Sequence, residues 1–226
     1  QYFHLFGDPA LKLPIPKDTL NTISIIPDTL KTLETAVYTG LQDIIQEEGL
    51  GYVILNDAKR NVTREYEISS ETQSLSYILP GATLFRGKFS FSGHQIYGQL
   101  RVPEDISYSD QPASLLIYIH NEQKEARSSI SNIFLSGGNS SDDTFGPQIF
   151  FEDKFGRRLE FGDHFAQNQE LIIRLSDPLG INLTNEPGHE ILIENLNSLS
   201  NNIATDEFYY DLNSISSGQI KYNSDE

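Results

Sequence analysis

The 226-residue sequence contains no cysteine, no methionine and no tryptophan. Without cysteine there is no disulfide, no thiolate metal ligand and no thiol nucleophile. Without methionine no residue serves as a start. We therefore expect Gln1 to open a piece of a longer polypeptide, and the lack of a signal peptide says nothing about compartment. Without tryptophan, an exposed aromatic platform would rest on tyrosine, and Tyr97, Tyr108, Tyr118, Tyr209 and Tyr210 are its candidates. No run of about 18 apolar residues occurs, so no membrane-inserted helix is expected. Basic residues are scarce: 16 Lys and Arg stand against 32 Asp and Glu, a formal charge of −16. A field of that sign repels a phosphate backbone at long range and argues against nucleic acid as a partner.

Hydrophobic residues make up 38 % of the chain and charged residues 21 %. That is enough apolar material for a core and too little charge density for disorder. The apolar residues fall with period two. Phe85, Phe89 and Phe91 share one parity and Arg86, Lys88 and Ser90 the other. Ile96, Gly98, Leu100 and Val102 oppose Tyr97, Gln99 and Arg101. Leu115, Ile117 and Ile119 alternate with Leu116, Tyr118 and His120, and Leu171, Ile173 and Leu175 with Ile172 and Arg174. Many short alternating runs broken by Gly, Asn, Asp and Pro predict antiparallel sandwiches. Between Leu30 and Ile45 a helical spacing competes, with Gly49 as a C′ residue. The β-favouring Thr35, Val37, Tyr38 and Thr39 and the interior Gly40 turn the reading to a strand over about Leu33–Leu41.

The small, polar stretch from Ser136 to Asp143 reads as a linker. It divides the chain into one immunoglobulin-like sandwich over 18–138 and a second over 139–226. The second is short for its class, and Gly218–Tyr222 alternates like a strand with nothing after it to pair with. The second sandwich is therefore expected to lack its last strands and to present an open edge.

No motif carries chemistry. Gly81 to Phe89 imitates a phosphate loop, but its second glycine comes one residue late and Phe89 stands where a Mg²⁺-binding hydroxyl belongs. His4, His94, His120, His164 and His189 never fall at the spacing of a local metal pair, and no Gly-x-Ser-x-Gly elbow occurs. The acidic charge reads either as a solvated surface or as scattered Ca²⁺ sites. Asp142-Asp143 and the turn Asp177–Asn182 are the places for Ca²⁺, although neither has the full acidic loop. Asn61, Asn139 and Asn182 head formal glycosylation triplets. No catalytic residue, no cofactor and no assigned metal ligand is expected.

The run from Tyr2 to Pro14, with Gly7-Asp8-Pro9 at its centre, resembles the end of the catalytic domain in gingipain-type cysteine peptidases. The segments Leu100–Tyr108, Asp142–Pro147, Gly180–Asn182 and Gly188–Ile191, in that order, are similar to those of type IX secretion sortases. The likeness departs at Glu186-Pro187, where the family has Gly-Ile. It implies that residues 1–17 are the remnant of a catalytic domain with its linker. It also implies that the parent is a Bacteroidetes cell-surface enzyme on the outer face of the outer membrane. Such a parent removes C-terminal signals from secreted cargo and joins the cargo to surface lipopolysaccharide, using a Cys–His pair upstream of Gln1. The chain itself would be non-catalytic. Its expected partners are the upstream catalytic domain, cargo signal domains that dock by strand addition, and other secretion-system proteins. The alternative reading is an adhesion or carbohydrate-binding module.

Limited proteolysis should cut first between Ser136 and Gly146, because small polar residues there bury no apolar surface. Early cutting inside Leu115–His120 instead would misplace the boundary.

Overall fold

In the computed structural model the described residues are 15–68, 71–138, 141–142, 144–164, 169–195 and 200–223. The Gly7-Asp8-Pro9 run, His4, Asn139 and Asp143 lie outside them. The alternating runs become strands. The first part of the chain supplies β1 (Asp18–Thr19), β2 (Thr22–Ile26), β3 (Thr29–Lys31), β4 (Thr35–Leu41), β5 (Glu48–Asn56), β6 (Arg60–Ile68), β7 (Glu71–Leu79), β8 (Thr83–Ser92), β9 (Gln95–Arg101), β10 (Ala113–His120) and β11 (Glu125–Ser136). The second supplies β12 (Gln148–Asp153), β13 (Arg158–Leu159), β14 (Glu170–Ser176), β15 (Leu192–Asn195), β16 (Ser200–Ile203), β17 (Tyr209–Leu212) and β18 (Ser217–Asn223). A single 3₁₀ turn at Thr205–Glu207 is the helical element among the described residues. The protein is all-β, and the competition between helix and strand near residue 37 is resolved as β4.

One long sheet runs in the order β1-β11-β10-β5-β8-β17-β18-β14-β12-β13. Against its first part lies a smaller layer, β2-β4-β9. The turn at Gly93-His94 carries the chain from β8 to β9, and only Ser92 and Gln95 pair across it, so β9 passes into the opposite layer. Most pairings are antiparallel. The pairings of β1 and β3 with β11, and of β17 with β8, are parallel.

Side-chain alternation fixes what the layers enclose. Phe85, Phe89 and Phe91 point inward from β8 and are all buried, as their shared parity predicts. Phe89 meets Tyr38 of β4 edge to face, with ring centroids 5.5 Å apart. These rings lie over glycines of neighbouring strands. Gly51 pairs with Phe89, Gly49 with Phe91 and Gly98 with Tyr38. A Cβ on Gly51 would stand 2.1 Å from the Phe89 ring, and one on Gly98 would stand 2.1 Å from the Tyr38 hydroxyl. Each ring fills the space of a missing side chain, which lets large aromatics pack between close layers.

The sheet of the second part corrects one expectation. β18 is not left without partners: β14 pairs with one side of it along its length, and β17 with the other at Gly218 and Gln219. The chain doubles back between β17 and β18, and β17 then spends its other edge on β8. Phe208, Ala204, Ile181 and Leu183 cover the inner face around Tyr210 and Ile220. On β12, Ile149 and Phe151 continue that face into solvent.

Phe89→Ala should cost about 3–5 kcal/mol, because it opens a cavity at a fully buried ring. Gly51→Ala should cost about 1–3 kcal/mol through overpacking. Denaturant melts of Gly51→Ala combined with Phe89→Leu should show less destabilisation than the two singles added together. Strict additivity would mean that the ring and the glycine do not share one space.

Candidate functional site

Three of the segments singled out in the sequence, Leu100–Tyr108, Gly180–Asn182 and Gly188–Ile191, converge on the joint between the two parts of the chain. Its backbone element is the parallel pairing of Tyr210 with Gly87 and of Leu212 with Lys88. On the inner face, Phe85 and Tyr210 stack with centroids 4.5 Å apart and planes 11° apart. The Tyr210 hydroxyl accepts a hydrogen bond from the Ile181 N–H at 2.5 Å and donates to the Ile181 carbonyl at 3.1 Å. Gly180, at φ +93°, brings the turn close: a Cβ there would sit 3.0 Å from that hydroxyl. Burial pushes the Tyr210 phenol well above its ordinary range, and burial does the same to Tyr38.

Polar groups close the joint at its rims. Asn213, at φ +58°, donates its N–H to the Lys88 carbonyl at 2.8 Å. Its side chain accepts from the Ser90 N–H at 3.2 Å and donates to the Ser90 hydroxyl at 3.1 Å. The Arg86 guanidinium pairs with Asp206, Nη2 to Oδ1 at 3.3 Å, and lies 5.4 Å from the centre of the Tyr209 ring. Lys88 stands 5.2 Å from that ring. Arg101 donates to the Pro178 carbonyl.

A second cluster joins three of the resembling segments. Asp105 accepts from the Asn182 side-chain amide at 2.7 Å and lies 3.1 Å from Nδ1 of His189. Asn182 Oδ1 accepts from the Thr184 N–H and hydroxyl at 2.9 and 2.7 Å. Leu100–Tyr108, Gly180–Asn182 and Gly188–Ile191 thus meet at one point. Beside them runs a groove of about 580 Å³ lined by Asp57, Arg60, Ser107, Glu186 and His189 among others. Asp57 is buried there, and its carboxylate accepts the N–H groups of Ala58 and Ser107, both at 2.6 Å.

The remaining candidates fall elsewhere. In the turn Asp177–Asn182 the Asp177 carboxylate accepts the Leu179 N–H at 2.7 Å, and the Asn182 side chain points to Asp105. Among the described residues no three His, Asp or Glu gather as a metal set. The false phosphate loop is the strand β8. His94 pairs with Asp43 at 2.9 Å, whereas His189 pairs with Asp105. Of the five tyrosines, Tyr210 is buried in the joint, while Tyr97 and Tyr108 are exposed at separate places. Tyr118 and Tyr209 do share the outer face of the long sheet. They are joined there by Tyr52, which sequence reasoning missed, and by His120, which it placed beside Tyr118 in the β10 alternation but not in an aromatic group. Tyr52 and Tyr118 each stack on His120, at 5.8 and 5.5 Å, and Tyr209 meets Tyr52 edge-on at 5.9 Å.

The fold has a solved counterpart. The crystal structure of dimeric latent PorU from Porphyromonas gingivalis is similar to 96 % of this chain, with a TM-score of 0.52 and 19 % identity. At that identity the likeness concerns the fold. The chain spans 22 % of the PorU chain. No family model and no curated protein matches the sequence.

Tyr210→Phe should cost about 1–2 kcal/mol, since it leaves the buried Ile181 N–H without its acceptor. It should also change the alkaline limb of stability. A phenol whose folded pKa lies above its unfolded value of 10.0 stabilises the fold fully below that value and loses the contribution as pH rises beyond it. Thermal midpoints should therefore fall above about pH 10 in the wild type and fall less steeply in Tyr210→Phe. Equal slopes would mean that the phenol is not held in a buried site.

Proposed function

We propose that this chain is the non-catalytic β-sandwich segment of a cell-surface, gingipain-type cysteine peptidase of the type IX secretion sortase kind. In this reading it holds the catalytic domain of its own polypeptide at a fixed distance and orientation on the outer face of the outer membrane. The parent removes C-terminal signals from exported cargo and attaches the cargo to surface lipopolysaccharide. Its thiolate attack and thioester steps belong to residues outside this chain, which has no cysteine. The observation that carries the proposal is the joint. A sheet that runs unbroken from β1 to β13, with a stacked aromatic pair at its crossing, makes one stiff body rather than two beads on a string. The resemblance of the N-terminal run and the likeness to PorU support the same reading.

Cargo docking by strand addition is part of the proposal; on β18 one edge is taken along its length by β14, and the other is taken by β17 at Gly218 and Gln219. The rival reading as a carbohydrate-binding module needs ring faces open to a sugar. Tyr52, Tyr118 and His120 turn theirs toward one another.

Incubated with signal-bearing cargo and an amine acceptor, the isolated chain should neither cleave nor transfer. In the full parent, Phe85→Ala with Tyr210→Ala should spare hydrolysis of a short peptide and slow processing of folded cargo. Turnover by the isolated chain that a point mutation within it abolishes would overturn the proposal. So would full cargo processing after the joint is broken.

A further inference from the structure

The two layers of the first part separate along the seam between β8 and β9. These strands pair at Ser92 and Gln95 alone. Beyond Gln95 the edge of β9 that faces β8 has no strand partner among the described residues. On the other side of the seam β17 takes β8 at Gly87 and Lys88, and the Asn213 side chain accepts the Ser90 N–H. Between these edges lies a slot of about 500 Å³, with Ser92 and Gln95 toward the hairpin turn and Asn213 and Ser214 toward β17. Sites for small ligands are roughly 300–1,000 Å³.

Tyr38 reaches this slot from β4. It pairs with Gly98 of β9, and a Cβ at 98 would stand 2.1 Å from its hydroxyl. The residue is 2 % exposed, yet its hydroxyl has no hydrogen-bond partner among the described residues. Tyr210, equally buried, bonds its hydroxyl twice to Ile181. Burial raises the Tyr38 phenol above its ordinary range, so it stays a neutral donor. The charge of the lining narrows what it can donate to. The chain has 32 Asp and Glu, but none lines the slot, and Lys88 is the one charged residue there. Lys88 is in no ion pair among the described residues. One ammonium and one phenol suit the two oxygens of a monoanion. A phosphate dianion would bring a second charge that no cation of the slot meets. Phe85 and Phe91 supply an apolar wall.

We propose that the slot between β8 and β9 binds an apolar monocarboxylate, its oxygens held by the Tyr38 hydroxyl and the Lys88 ammonium and its body laid against Phe91. Two sources carry that chemistry: a free organic acid, and the last residue of a peptide, whose backbone would add to the open edge of β9. The site is built from this chain's own residues and stands whatever the parent enzyme is.

Titrating the isotope-labelled chain with isocaproate, with N-acetyl-alanyl-leucine and with the C-terminal amide of that dipeptide, followed by amide NMR shifts, tests this. At least one acid should bind with a dissociation constant of about 1 mM or lower and move the signals of Gln95 to Gln99. The amide should bind at least about tenfold more weakly than the dipeptide acid. Tyr38→Phe should keep the unliganded thermal midpoint, because the hydroxyl it removes is unbonded, and should weaken the acids at least about fivefold. Lys88→Gln should erase the preference for acid over amide. Tighter binding of the dipeptide acid assigns the slot to a peptide end, and tighter binding of isocaproate assigns it to a free acid. The proposal is overturned if neither acid binds up to about 10 mM. It is overturned equally by acid binding that Tyr38→Phe leaves unchanged, or by an acid preference that survives Lys88→Gln. A lower unliganded midpoint in Tyr38→Phe would mean that the hydroxyl is bonded within the fold, and would also overturn it.

Discussion

The stacking of Phe85 on Tyr210 is the contact on which the rest of the architecture depends. It sits where two parts of the chain, each able to make its own hairpins, become one sheet. The backbone pairing of β8 with β17 is short, and on its own would be a weak hinge. The ring pair lets a desolvated interface form around it, and the Tyr210 hydroxyl ties the same side chain to the turn at Ile181. Asn213, Arg86 and the Asp105 cluster then work on positions that this stack has already set. Offset aromatic stacking of this kind adds about 0.5–1.5 kcal/mol beyond the area it buries.

Much of the fold was legible because a strand announces itself locally. Parity alone placed Phe85, Phe89 and Phe91 in one core and turned Tyr118 outward. What parity does not carry is the identity of a strand's neighbours. Gly218–Tyr222 read correctly as a strand, but not as one that pairs with β14 along its length and with β17 at Gly218 and Gln219, since those partners are chosen by tertiary packing. The parallel join of β17 to β8 has no periodic signature either. The glycines at 49, 51 and 98 belong to the same lesson. In isolation they weaken a strand reading, yet each is the space into which a ring across the pairing fits.

The candidate site was legible in a different way. No single residue announced chemistry, and none has been placed in a reacting constellation. The segments that carried the resemblance are distant in sequence, but Asp105, Asn182 and His189 prove to be bonded to one another. Those short motifs are therefore explained by the requirements of a joint: a turn at Gly180, a carboxylate facing an imidazole, and an amide that bridges them. Tyr52 went unnoticed, and His120 was read only as a lone imidazole of outward parity, because outward aromatics have no motif, only a register that becomes visible once β5 and β10 are paired.

The join at β8 also has a consequence for biosynthesis. Ser90 and Asn213, bonded across it, are 123 positions apart. While the chain emerges from the ribosome, the strands β1 to β11 are all available long before β17 exists. Through that interval β8 carries an unpaired edge with Phe85 beside it, an invitation to wrong partners. The order in which the polypeptide becomes available thus creates a vulnerable intermediate that the finished molecule no longer displays. A binder that shields a bare strand edge would have its moment of use there and none afterwards.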